Sequence, residues 1–411
     1  MPVRIFDKGN LYFDLESVMG MIQERKELIL GLQFEETYSQ LTCYTGSMKE
    51  PMTVSAGENG DSYLLPVTEN EWKAAIDVSH PLEELTEFFR RCLKLLPETG
   101  AFSDIRIMVT VPKLKAPLDE RIPGALEQLG ISRKYIFLQD YKSSFYYYTV
   151  NQKRELWNGD VALLEYQQQT MTAYVLHVDR STKPALVTVE QAASQRMDDT
   201  VRDGREEAAW DKERDRLFFE LLKKAFERRN VVTSYLLGDY FDRSWAERSF
   251  QYLCYHRHAF QGKNLYTKGA CYAAMERVGL VNVPDLLFMG ADIIHENMGM
   301  NMRIRGKEVY YPLITAGVNW YEAHHVCEFI PDGEDTIAII TKPMTGGQEV
   351  QHLLRLKGMP DRPNRATRLK MTVYFVSASR CVVEVEDMGF GGFYRPSGKH
   401  WQREINFETG E

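Results

Sequence analysis

No stretch of this chain approaches the roughly 20 uninterrupted apolar residues that a membrane-spanning helix requires. The opening residues, MPVRIFDKGNLYFDLES, carry acids and lack the apolar centre of a secretory signal, so a cytoplasmic location is expected. Cysteines are sparse. The six (Cys43, Cys92, Cys254, Cys271, Cys327, Cys381) include no C-x-x-C pair and are expected to be reduced thiols. Positive charge is also in deficit, with 50 Lys+Arg against 58 Asp+Glu and a formal net charge of −8. From residue 301 onward the signs balance at 14 each, so residues 1–300 hold the whole deficit, 36 basic against 44 acidic. An acidic body argues against nucleic-acid binding, which needs a basic phosphate-tracking surface, and it disfavours phosphate ligands unless a local site compensates. What is present is ordinary globular material: 411 residues, 44% hydrophobic, 12% aromatic and 26% charged, enough for two or three packed units. This excludes collagen, long disordered chains and small disulfide scaffolds.

The hydrophobic pattern divides the chain. Residues 1–27 read as an N-terminal extension with a short helix over Leu11–Lys26. LILGLQF (28–34) and YSQLTCYTG (38–46) read as paired strands. Leu82, Leu85, Phe89, Cys92, Leu93 and Leu96 recur at helical spacing. IRIMVTVP (105–112) is apolar throughout, as a strand buried on both faces would be. A helix ending at Gly130, a strand at 135–140 and a helix over Ser143–Lys153 follow. The pattern then restarts, with strands at 160–166, 170–178 and 185–190 and a long charged helical stretch over 198–230. A strand at 231–239, helices near 244–256 and 268–278, and LLFMGAD (286–292) complete that half. Beyond about Asn297 short alternating runs take over (VYYPLI, TIAIITKP, HLLRLKG, LKMTVYFVS, CVVEVED), separated by Gly, Pro and Asp, which predicts an antiparallel β domain.

Several segments in this order resemble the actin-like ATPases, and most closely the heat-shock chaperones of the seventy-kilodalton class. LILGLQFEETYS resembles the family's first phosphate loop, and VALLEYQQQTMTAYVL its second. IRIMVTVPKLKAPLDERIPGALEQLGI is similar to the segment running from a Thr-Val-Pro strand end into a helix, and LQDYKSSFYYY to the one carrying the catalytic glutamate. YLLGDYF and LYTKGACYAAM resemble the adenosine-binding loops, through Gly238, Gly269 and Ala270, with Asp239 in place of a family glycine. HLLRLKGMPDRPNRATRLKMTVYFVSASRCVVEVEDMGFG is similar to the end of the chaperones' substrate-binding β-sandwich, with Gly358, Met359 and Pro360 at its turn. The resemblance implies an α/β fold: a two-lobed actin-like (ribonuclease H-like) body with reduced lobes at 28–158 and 159–297, then a small antiparallel β-sandwich at 298–411. It also implies that the family's α-helical lid has no counterpart.

The loops depart from the family where its chemistry resides. Gln33 stands at the first loop's aspartate, and Glu35 and Glu36 at its glycine and threonine; Thr37 alone is retained. Two carboxylates at a phosphate site repel it by about 1 kcal/mol per close pair even in high dielectric. Gln167, Gln168 and Gln169 replace the second loop's glycines, before a retained Thr170. Their side chains would fill phosphate space, and glutamine is strained wherever such a turn needs φ > 0. Glu165 replaces that loop's aspartate, and Asp140 the catalytic glutamate. The resemblance therefore implies a dismantled ATPase site, without catalytic residues, a resident metal or a cofactor, Mg²⁺ and ATP being disfavoured.

The remaining features have ordinary readings. His256 with His258, and His324 with His325, lack further ligands at metal-binding spacing. Phe145–Tyr148 reads as core packing on a helix, MGMNMRIRGK (298–307) as a flexible interdomain connection in preference to a Met-lined contact surface, and MGFGGF (388–393) as a loop that opens no helix. Ser144 and Ser379 show no triad pattern. The expected function is a non-catalytic, chaperone-like scaffold that binds a protein or peptide partner through its β domain, with no nucleic-acid or membrane partner. Two alternatives are an enzyme or switch using Asp140, Glu165 and Glu35 or Glu36 around a metal or non-phosphate ligand, and a structural element of a filament.

Overall fold

The computed structural model describes residues 28–407 apart from 56–62, 97–104, 115, 168, 198–206, 243–244, 283–284, 291, 334 and 345. The extension over 1–27, with its expected helix, and the start of the charged stretch at 198–206 lie outside the described residues. The chain divides into two compact units, residues 1–175 with 191–283 and residues 176–190 with 284–411.

The first unit opens on β1 (Leu28–Phe34), buried at every position. Its alternating side chains reach two different cores, since successive strand residues point to opposite faces. Leu28, Leu30, Leu32 and Phe34 join one apolar cluster, and Ile29 joins another. β2 (Tyr38–Tyr44) returns antiparallel to β1, and the short β3 (Met52–Thr53) and β4 (Leu65–Pro66) pair with β2. Two helices follow, α1 (Glu69–Ile76) and α2 (Leu82–Leu93). A capping box starts α1: the Glu71 amide donates to Thr68 Oγ1 at 3.3 Å and the Thr68 amide to Glu71 Oε2 at 2.8 Å. β5 (Ile105–Val111), α3 (Leu118–Gln128), β6 (Ile136–Asp140) and α4 (Tyr141–Val150) complete the set, with β5 parallel to β1 and β6 parallel to β5. The sheet order is β3-β2-β1-β5-β6. Ala74 and Ala75 of α1, Phe88 and Phe89 of α2, and Ile122 and Leu126 of α3 cover one face of it.

The same arrangement recurs. β7 (Asp160–Gln167), β8 (Thr170–Asp179) and β9 (Ala185–Arg196) precede α5 (Glu207–Phe226), β10 (Val231–Leu237), α6 (Glu247–Cys254), β11 (His258–Gln261) and α7 (Leu265–Arg277). The order is β11-β10-β7-β8-β9, with β10 parallel to β7 and β11 parallel to β10. In both sheets, then, the first strand has its hairpin partner and a third strand on one side and two parallel strands on the other. The far ends of β8 and β9 belong to the second unit, where Ala185–Val187 of β9 pairs in parallel with β12 (Leu286–Phe288).

Helix α7 packs on the first sheet, on the face opposite α1–α3. Ala270, Cys271, Ala273 and Ala274 cluster there with Ile29 and Met108. Gly31 permits the approach: a Cβ at that position would lie 2.2 Å from the Thr267 carbonyl oxygen and 2.3 Å from the Cys271 amide. The Thr267 hydroxyl donates to the Gly31 and Gln40 carbonyls at 2.9 and 3.2 Å, pinning the helix to the strands.

The C-terminal part of the second unit holds two four-stranded antiparallel sheets. One has the order β14-β13-β16-β17, from β13 (Glu296–Ile304), β14 (Lys307–Ile314), β16 (Thr336–Pro343) and β17 (Val350–Arg355). The other runs β15-β18-β19-β20, from β15 (His324–Phe329), β18 (Leu369–Ser377), β19 (Arg380–Asp387) and β20 (His400–Asn406). Both contribute to one core, Met298, Met300, Ile339 and Leu354 from the first and Met371, Val373, Val383 and Trp401 from the second. The flexible connection expected at 298–307 is corrected here. Residues 296–304 are a strand paired on both sides, and Met298 and Met300 are buried because their period-2 spacing points both into the core. The chain is thus of mixed α/β class, with antiparallel sheets at its C-terminal end.

Candidate functional site

In the first unit, the loops that stand out in the sequence lie at strand ends. β1 ends at Phe34, so Gln33 sits on the strand and Glu35 just beyond it; both are buried. Glu36 and Thr37 are exposed at the hairpin tip, where the Thr37 carbonyl accepts from the Val67 amide at 3.1 Å. Glu165 lies near the end of β7, partly buried, and Gln167 is its last residue. Gln168 lies outside the described residues. Gln169 occupies the turn with φ of 65°, the left-handed region that favours glycine, and Thr170 begins β8.

Two tyrosines tie the strand ends together. Tyr141 opens α4 and Tyr266 lies at the start of α7; their rings stack with centroids 3.9 Å apart and planes 18° from parallel. The Tyr141 hydroxyl donates to Glu35 Oε2 at 2.8 Å and receives the Gln33 side-chain amide at 3.0 Å. The Tyr266 hydroxyl donates to Glu165 Oε1 at 3.3 Å. A chain of contacts thus runs from β1 through two phenols to β7.

The electrostatics follow from burial without a cation. Burial raises the Glu35 carboxyl above its ordinary range, partly offset by hydrogen bonds from Tyr141, Tyr38, Thr37 and Gln33. Burial lifts Glu165 to about 7; the Tyr266 hydroxyl opposes the rise and the charge of Glu35 adds to it. The phenols move up as well. Tyr141 and Tyr266 lie well above the usual value, by burial first and by carboxylate charge second, so they remain donors. Tyr174 is pushed to about 12 by burial and by the charges of Glu165 and Asp140.

Asp140 is the last residue of β6 and the N-cap of α4. Its Oδ1 accepts from the Ser143 amide at 2.8 Å and the Ser143 hydroxyl at 2.6 Å, so its carboxylate is committed to starting the helix. Ser144 is buried in a hydroxyl network, donating to Thr110 Oγ1 at 2.8 Å and accepting from Gln139 Nε2 at 2.6 Å. Gly238 follows β10 with φ of +117°, and a Cβ there would lie 2.2 Å from the Tyr166 carbonyl oxygen; Asp239 opens the 3₁₀ turn Asp239–Asp242. Gly269 and Ala270 lie inside α7, where a Cβ on Gly269 would come 2.0 Å from the Ser144 carbonyl oxygen. Gly269 therefore has a packing reason to be glycine: it lets α7 meet α4 backbone to backbone.

In the second unit, Gly358 sits at a turn with φ of +69°, closed by the Met359 amide donating to the Leu356 carbonyl at 3.2 Å, with Pro360 following. Among the described residues no three His, Cys, Asp or Glu side chains stand close enough to hold a metal ion. No described helix is long and apolar enough to cross a membrane. The residues that sequence reasoning missed are Tyr141 and Tyr266. Each lies inside a segment of interest, but nothing local marks two distant tyrosines as a stacked pair.

Comparison with known families gives two matches. Residues 53–291 match the model described as "Family of unknown function (DUF5716) C-terminal", and residues 293–407 match "Domain of unknown function (DUF8552)". No curated protein matches the chain.

Proposed function

This chain belongs to the DUF5716 family, whose model spans more than half of it, and from that premise we propose that it is a non-catalytic, chaperone-like scaffold on a degenerate actin-type body. The repeated sheet order supports the body. Each half sets a hairpin and a third strand on one side of its first strand and two parallel strands on the other, and α4 and α7, the last helices of the two halves, pack together.

The observation that carries the loss of nucleotide chemistry is the stacked Tyr141–Tyr266 pair. A Mg²⁺–nucleotide site needs ionised carboxylates at the strand ends and open backbone amides in the loops. Here burial biases Glu35 and Glu165 toward the protonated form, and each accepts a phenol hydrogen bond. Asp140 is spent on a helix cap, and a glutamine takes the left-handed turn position. These residues do not fit a magnesium nucleotide.

Partner binding falls to the C-terminal sheets. β14 and β15 are edge strands, with Val309, Tyr310 and Val326 exposed. An edge strand offers unpaired backbone groups to an extended peptide, and its alternate side chains give specificity. An array of extended peptides probed with the full chain tests the reading. Saturable binding to a subset, lost when Tyr310 and Val326 are changed to lysine, is expected. Absence of any peptide or protein engagement by residues 300–411 contradicts it.

A further inference from the structure

We propose that Arg214 and Trp210 of α5 form a binding site for a small anion that presents two oxygens side by side, a carboxylate or a phosphate group. This goes beyond the scaffold reading and does not rest on it. Arg214 is only 5% exposed, an unusual position for a guanidinium. It lies in an aromatic box: its guanidinium carbon is 4.2 Å from the Trp245 ring centroid, 5.9 Å from those of Tyr166 and Tyr240, and 6.0 Å from that of Trp210. Such rings stabilise the cation but accept no hydrogen bonds in its plane.

Among the described residues, Asp211 stands 3.9 Å from Nη1 of Arg214, beyond hydrogen-bond reach. Nε and Nη2 are buried with no acceptor among the described residues, and so is Trp210 Nε1, four residues earlier on the same helical face. The Trp245 indole differs, since it donates to the Tyr240 carbonyl at 2.6 Å.

The chemistry of these orphaned donors selects the ligand. Nε and Nη2 form one edge of the guanidinium fork, the edge that pairs with two oxygens of a carboxylate or phosphate at once. A third donor from Trp210, whose ring centroid lies 6.0 Å from the guanidinium carbon, suits an oxygen with a further lone pair. Of the box residues, Trp210, Trp245 and Tyr166 are 6% exposed or less, whereas Tyr240 is 37% exposed and forms the outer wall. The ligand is therefore a small ion or a projecting side-chain-sized group rather than a nucleotide base.

The test uses the full chain and two probes, inorganic phosphate and acetate, titrated separately at constant ionic strength. Readouts are tryptophan fluorescence, since Trp210 and Trp245 border the site, and the thermal midpoint. Saturable binding of at least one probe is expected, and which one responds distinguishes phosphate from carboxylate. R214K keeps the charge but loses the fork and should weaken binding by about tenfold or more; W210F should weaken it by about threefold to tenfold. If R214K fails to fold, W210F alone decides. No saturable response to either probe means that the donors meet only water and overturns the proposal, as does wild-type affinity in W210F. ATP titration reports separately on the strand-end tyrosines, so loss of one result leaves the other intact.

Discussion

Asp387 in the C-terminal sheets and Glu35 and Glu165 in the first unit all lose water on folding, yet their carboxyls shift in opposite directions. Burial alone would raise Asp387, but Arg362, Ser397 and Gly389 outweigh it and keep the carboxyl well below the usual range. Arg362 binds it through both nitrogens, Nη1 at 2.9 Å and Nη2 at 2.8 Å, and the Gly389 and Ser397 amides each donate at 2.9 Å. One ionised group thereby anchors the Arg362 segment and both arms of the 388–399 loop. Among the described residues no cation bonds Glu35 or Glu165; phenols and an amide contact them, and burial raises both carboxyls. The same residue class serves as a charged clamp in one place and a muted acid in the other.

The comparison breaks most visibly at Arg362. R362M leaves Asp387 buried without its partner and should cost about 3–5 kcal/mol, read by urea denaturation at neutral pH. Because the folded Asp387 lies below its unfolded value, the stability it supplies is present above about pH 4 and is lost on acidification. Glu165 has the reverse sign. Its folded value near 7 exceeds the ordinary 4.5, so its favourable contribution is full below about pH 4.5 and is lost as pH rises through 7. E165Q retains an acceptor for Tyr266 and should stabilise the protein by about 2 kcal/mol at pH 8, discounted for partial exposure, with little effect at pH 4.5. A pH series of denaturation midpoints for wild type and E165Q checks the slope. Y141F removes the hydroxyl between Gln33 and Glu35 and should cost about 1–2 kcal/mol, with Glu35 titrating higher still. The smallest effect is expected at the second loop, where Q169G relieves a left-handed glutamine and should stabilise by about 1 kcal/mol.

Much of the fold was legible because burial on two faces leaves a local signature. LILGLQF, IRIMVTV and VVTSYLL are nearly continuous apolar runs, and they became the central strands β1, β5 and β10. The Leu82–Leu93 helix announced itself through spacing, and LKMTVYFVS through alternation. β11, a short edge strand reading HAFQ, gave no apolar signal. β13 misled because Gly299 and Asn301 separate its methionines. Gly299 is tolerated there because the Tyr310 ring covers it, its Cζ lying 2.4 Å from where a Cβ would be. The candidate site was legible only as strand ends. Its defining contact joins the first turns of two helices that are distant in sequence, and the buried Arg214 looked like one more charge on a charged helix.

On the proposed reading, the strand-end acids and tyrosines leave no room for a nucleotide. Titration calorimetry of ATP with Mg²⁺ into the full chain tests it most directly. The account predicts no saturable heat from the wild-type protein or from Q169G. Saturable micromolar binding that Thr37→Ala and Thr170→Ala abolish would contradict it.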